Sequence, residues 1–186
     1  MATNSEWGPL AGLIGTWEGD QGMDFSFHNV EGEVGETPYR EKVEMKPFGP
    51  VDNGAQHLYG LDYRMAAWRT NVVEENPFHT EVGYWLYDGA TGEIMRCLMV
   101  PRGSTILAGG VAAAGDTKFT MEATVGDEVY GILSNKYLAE KARTKKYVCT
   151  ITIDGDTWSY EECTTYDHAI GGEIAHTDKN TLKRVS

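Results

Sequence analysis

A closed, up-and-down antiparallel β-barrel of about ten strands, with a short N-terminal helix and one further short helix, is the fold class this sequence predicts. Three observations carry that expectation. Apolar and polar residues alternate in short runs, the period of a half-buried strand. Gly, Asp and Asn clusters separate the runs, and the 22 glycines supply the turns an all-β chain needs. Ten Tyr and five Trp suit strands that bury one face.

The elements follow in order. Pro9–Ile14 is short and apolar and ends at Gly15, which reads as one or two helical turns. Residues 1–14 form an N-terminal segment and 15–186 one barrel domain. From Thr16 onward the texture is that of strands. Tyr39, Glu41, Val43 and Met45 alternate with Arg40, Lys42, Glu44 and Lys46, and Gly49–Gly54 reads as a loop. His57–Trp68, Phe78–Tyr87 and Glu93–Val100 are the next strands, broken by Glu74–Pro77 and by the hairpin stretch Asp88–Gly92. Ser104–Ala112 and Lys118–Val125 follow. Ile132–Arg143 is the one convincing helical stretch past the N-terminus, with Ser134 or Asn135 as its cap. Tyr147–Ile153 and Trp158–Thr165 form a hairpin around Asp154-Gly155-Asp156. Glu173–Val185 closes the barrel, with an irregularity near Asp178–Asn180.

Composition excludes several function classes. The net charge of −12 and the lack of a basic stripe argue against nucleic-acid binding and against an anionic membrane surface. No apolar run reaches the length of a membrane span, and the N-terminus lacks the pattern of a signal peptide. Cys97, Cys149 and Cys163 form no CxxC pair, which suits free thiols in a reducing compartment. The chain reads as a soluble cytoplasmic protein, monomeric or homodimeric. No nucleotide-binding or hydrolase motif appears. Glu161 and Glu162 are strand neighbours that point to opposite faces, so they do not act together.

Gly15-Thr16-Trp17-Glu18-Gly19 is a Gly-x-Trp-x-Gly entry into the first strand. Its Trp plugs the barrel bottom while the glycines let the chain bend past it. Two further stretches join it: Phe78-His79-Thr80-Glu81-Val82-Gly83-Tyr84-Trp85, and His176 ahead of Thr181-Leu182-Lys183-Arg184-Val185. In order and spacing these three resemble the nitrobindin-like haem-binding barrels, within the fatty-acid-binding-like group, over nearly the whole chain. The chain departs from the pattern at Gly19–Gly22, carries extra sequence at Val30–Pro38 and Ile132–Arg143, and has about two extra residues before Leu182.

The resemblance implies haem b as cofactor, with His176 as axial iron ligand and with His79 and Trp85 lining the pocket. It also implies chemistry on nitric oxide and peroxynitrite, an isomerase activity that depends on haem being bound. The residue pattern alone leaves alternatives open. Alternation groups His176 with Ile174 and Leu182, but also with Asp178 and Asn180, which fits a bulged strand end as well as a pocket face. His79 shares a face with Glu81, Trp85 and Tyr87. The opposite face, with Phe78, Val82, Tyr84 and Leu86, is more apolar and reads as the inner one. A bulge at Gly83 would reconcile that with the resemblance. His28, His57 and His168 lack metal-site spacing.

Two further readings compete with haem. A carrier of fatty acids or another hydrophobic small molecule needs an interior cation, for which Arg102 and Arg184 are the candidates. A barrel filled by its own side chains, Trp17, Trp68, Trp85 and Trp158 among them, would hold no ligand.

Overall fold

Period-two alternation organises the chain into eleven strands in the computed structural model, which describes residues 4–186. A 3₁₀ segment spans Asn4–Leu13. The strands are β1 (Gly15–His28), β2 (Glu33–Asn53), β3 (Gln56–Arg69), β4 (His79–Asp88), β5 (Glu93–Val100), β6 (Ser104–Val111), β7 (Lys118–Val125), β8 (Gly131–Ser134), β9 (Ala142–Asp154), β10 (Thr157–His168) and β11 (Gly172–Arg184). One α-helix, α1, spans Lys136–Lys141. Neighbours run β1-β11-β10-β9-β7-β8-β6-β5-β4-β3-β2 and close on β1. Closure removes the open edges that would otherwise invite pairing with other chains.

Several expectations change in detail. The Gly49–Gly54 stretch is not a loop: β2 continues to Asn53, with a register shift between Phe48 and Val51 at a cis Gly49–Pro50 bond. Only six of the residues read as helix are helical. Ile132 is buried and Leu133 exposed, the alternation of a strand, and β8 runs parallel to β7. Asn135, rather than Ser134, caps α1, accepting from the Leu138 N–H at 2.9 Å. The irregularity placed in the last strand lies instead in β1. Between Glu18 and Met23 β1 advances five residues while β11 advances four, so the extra residue belongs to Asp20–Gln21.

One end is closed and apolar. Leu10, Leu13 and Trp17 are fully buried there against Val43, Leu61, Trp85 and Leu182. Trp17 Nε1 donates to the Leu13 carbonyl at 2.8 Å, and its ring meets Trp158 edge-on at 6.4 Å between centroids. Gly15 has φ +138°, a conformation that disfavours side chains, and a Cβ at Gly19 would lie 2.6 Å from the Thr181 carbonyl oxygen. The Gly-x-Trp-x-Gly entry therefore works as expected: it lets the chain turn tightly around a plugging indole. Arg184 completes the plug. Its guanidinium lies 4.0 Å from the Trp17 ring centroid and bonds the Ile14 and Gly12 carbonyls and Asp156.

The other end is the mouth. The loops at 29–32, 70–78, 101–103 and 169–171 surround it together with α1. Among the described residues, no helix is long and apolar enough to cross a membrane.

Candidate functional site in the barrel mouth

The inner face of the barrel changes character along its axis. Above the apolar closed end lies a charged layer centred on Arg96, which β5 places inside between buried Ile94 and Leu98. Arg96 Nη2 donates to Glu81 at 2.6 Å and to Tyr63 at 3.1 Å. Nη1 donates to Glu162 at 2.7 Å and also bonds the Tyr147 hydroxyl. The guanidinium lies 5.1 Å from the Trp85 ring centroid. Burial alone would raise the Glu81 carboxyl, but Arg96, His79 and Tyr63 outweigh it and hold that group at about 2. Arg96 thus bonds both carboxylates, and the buried cation is neutralised in place.

A second polar group sits beside this layer. Tyr160 donates to Glu41 at 2.5 Å, Asn180 donates to the same oxygen at 3.1 Å, and Tyr39 and Tyr160 share a hydrogen bond of 2.6 Å. Among the described residues, Glu41 has no direct cation partner. Burial pushes its carboxyl up to about 7, even against the donors from Tyr160 and Asn180.

His79 and His176 occupy the mouth itself. Ile174, Asn180 and Leu182 are buried on the same face of β11 as His176 and Asp178, so alternation runs unbroken along that strand. The polar residues there mark a polar inner face, not a bulge. His176 Nε2 lies 2.5 Å from Asp24 on β1 and 3.0 Å from Asp178. Burial opposes protonation of the imidazole, but the two aspartates prevail and raise it to about 10. Burial moves Asp178 up to about 6, while His176 keeps Asp24 below the ordinary carboxylate range against its own burial.

His79 faces inward as well. Glu81, Trp85 and Tyr87 on its face are buried, whereas Val82 and Tyr84 are exposed. The apolarity of the opposite face is therefore a misleading guide, and β4 pairs with both neighbours without a bulge at Gly83. His79 Nε2 lies 3.2 Å from Glu81 Oε1. Burial opposes its protonation too, but Glu81 outweighs it, with Glu162 and Asp178 adding to the same effect. His79 and His176 thus both stand on inner strand faces near the open end.

The remaining candidates fall elsewhere. Trp85 is fully buried beneath Arg96, below the mouth. Arg184 is committed to the plug and does not reach the interior. Arg102 sits in the exposed turn after β5, where its carbonyl accepts from Asn135. The interior guanidinium is Arg96, which no sequence motif singled out. Trp17, Trp85 and Trp158 fill the lower barrel, but Trp68 lies outside it, with Arg40 4.4 Å over its ring. Cys149 is buried; Cys97 faces outward between Tyr84 and Leu107. His57 pairs with Asp52 on the surface, His168 accepts from the Ile170 and Gly171 N–H groups, and His28 bonds Thr37. Two recesses of about 300 Å³ each lie against the outer face of β9, β10 and β11.

The sequence pattern of the THAP4-like, heme-binding beta-barrel domain matches residues 6–184. The chain belongs to this family. Membership in the THAP4-like haem-binding barrels bears out the resemblance carried by the Trp17 entry and the two histidine stretches. A crystal structure of Rv2717c from M. tuberculosis has the same fold, with a TM-score of 0.64, 20% identity and 95% of each chain covered. No curated protein matches the chain.

Proposed function

We propose that the barrel binds ferric haem in its mouth, where the His176 imidazole would hold the iron and His79 would line the same mouth. One observation supports this above the others. His176 stands on the inner face of β11 at the open end, with about 30% of its side chain exposed, in a chain of the haem-binding barrel family. A porphyrin edge also needs apolar contact at the rim. Val30, Val72, Val73 and Ile170 are exposed on the surrounding loops and offer it.

The residues fit an axial ligand on one condition. Iron binds neutral imidazole. Asp24 and Asp178 now address Nε2, so they must release that atom and His176 must give up a proton to bind iron. The Arg96–Glu81–Glu162 layer forms the floor, and Glu81 Oε1 lies 3.2 Å from His79 Nε2. When bound, ferric haem would supply the coordination chemistry of nitric oxide and peroxynitrite. The fatty-acid carrier reading has less support, because Glu81 and Glu162 already neutralise the interior cation a carboxylate would need.

Haem titration of the purified chain tests the proposal. A shifted Soret band at one haem per chain, lost in His176→Ala, is the expected result. No binding at micromolar haem would sink it.

A further inference from the structure

A mixed nitrogen and oxygen donor set lies where β1 meets β11. Asp24 and Asp178 stand directly opposite each other in the antiparallel register, where like charges repel. Among the described residues, neither carboxylate pairs with Lys or Arg, and His176 alone bridges them. Asp24 is more than nine-tenths buried, and its charge needs the cation that His176 now supplies, a place that a metal ion can also take.

The geometry suits a metal ion. His176 Nε2 and one oxygen from each aspartate all lie within 4.8 Å of one another. Ser26 Oγ donates to Asp24 Oδ1 at 2.6 Å, which leaves Oδ2 turned toward the group. The 3.0 Å between His176 Nε2 and Asp178 Oδ2 is the spacing of adjacent ligands on one ion, given bonds of about 2.1 Å. The shorter Asp24 contact needs to open by about half an ångström once an ion replaces the shared proton.

We propose that Asp24, His176 and Asp178 form a binding site for a divalent first-row metal ion, independent of any porphyrin. One imidazole with two carboxylates suits Zn²⁺, Mn²⁺ or Fe²⁺. His176 and Asp178 are partly open to the mouth, so water completes the coordination shell. The site goes beyond the haem proposal and competes with it, because one Nε2 serves one metal at a time.

Calorimetric titration of the haem-free full chain with Zn²⁺, and of a parallel sample with Co²⁺ followed by visible absorption, tests the site. One ion per chain is expected, with affinity lowered at least about tenfold in Asp24→Asn and in Asp178→Asn. Circular dichroism checks that each variant is folded. Asp178 sits at the partly exposed rim, so Asp178→Asn decides the matter if Asp24→Asn does not fold. Failure to bind Zn²⁺ at millimolar concentration, or unchanged affinity in the folded variants, overturns the proposal. Haem titration of the same preparation keeps the two ideas apart. Zinc binding without haem binding contradicts only the haem proposal, and haem binding without zinc binding contradicts only this one.

Discussion

The two ends of the barrel use the same strands for opposite purposes. At the closed end, inner positions carry Leu10, Leu13, Trp17, Val43 and Leu182, all fully buried. At the mouth, the same inner faces carry Asp24, Glu41, Glu81, Glu162 and Asp178, with Arg96 bonded to Glu81 and Glu162 and His176 to the two aspartates. The closed end gains stability from apolar burial. The mouth spends part of that stability on desolvated charge, an arrangement proteins keep where a ligand or proton must be handled. Stability and the proposed binding are thus separated along the barrel axis, with the Arg96 layer between them.

That separation can be broken most sharply at its boundary. Replacing Arg96 by Met would leave Glu81 and Glu162 buried without their cation, and should cost up to about 5 kcal/mol in urea unfolding. A loss below about 1 kcal/mol would mean that the layer is more hydrated than its burial implies. Next is the plug. Trp17→Ala should lower stability by about 4 kcal/mol through the cavity it leaves, while haem affinity measured on the folded fraction stays unchanged. A matched loss of haem affinity would show that the two ends are not separate.

Glu41 gives a pH signature. Its folded-state value of about 7 lies above its ordinary 4.5. The folded state therefore holds this proton more tightly, so its contribution is full below about 4.5 and is lost as pH rises through about 7. Glu41→Gln should flatten that part of the stability profile and leave the variant about 3 kcal/mol more stable than wild type at pH 8. Parallel profiles for the two proteins would contradict the assignment. The smallest effect belongs to the rim. Asn135→Ala removes the cap of α1 and the bond to the Arg102 carbonyl, for a loss of about 1 kcal/mol and a faster amide exchange confined to α1.

Much of this architecture was legible in the residues. Period-two runs and Gly-rich turns located most strands, because strand pairing leaves a local record in alternation. Trp17 between Gly15 and Gly19 identified the closed end. The mouth was harder to read, for one physical reason. Alternation tells which residues share a face, but deciding which face is inner assumes that the interior is apolar. That assumption holds for Val43 and Met45 and fails for His79 and His176, whose inner neighbours are charged. It turned the inner face of β4 outward and made β11 look bulged. Arg96 leaves no local signature, because its partners Glu81 and Glu162 lie 15 and 66 residues away in the chain. Only closure of the barrel brings them together. Ile132 and Leu133 alternate as strand residues, but they stand just ahead of a six-residue helix, so the sequence pattern alone merges them with its first turn.

The central claim is that the mouth binds and the closed end holds. Thermal unfolding of wild type and His176→Ala, each with and without excess ferric haem, tests it most directly, because a ligand that binds only the folded state raises the midpoint. The account predicts a haem-dependent rise in wild type and none in His176→Ala, with Trp17→Ala keeping the full rise from a lower starting midpoint. An equal rise in wild type and His176→Ala would contradict it.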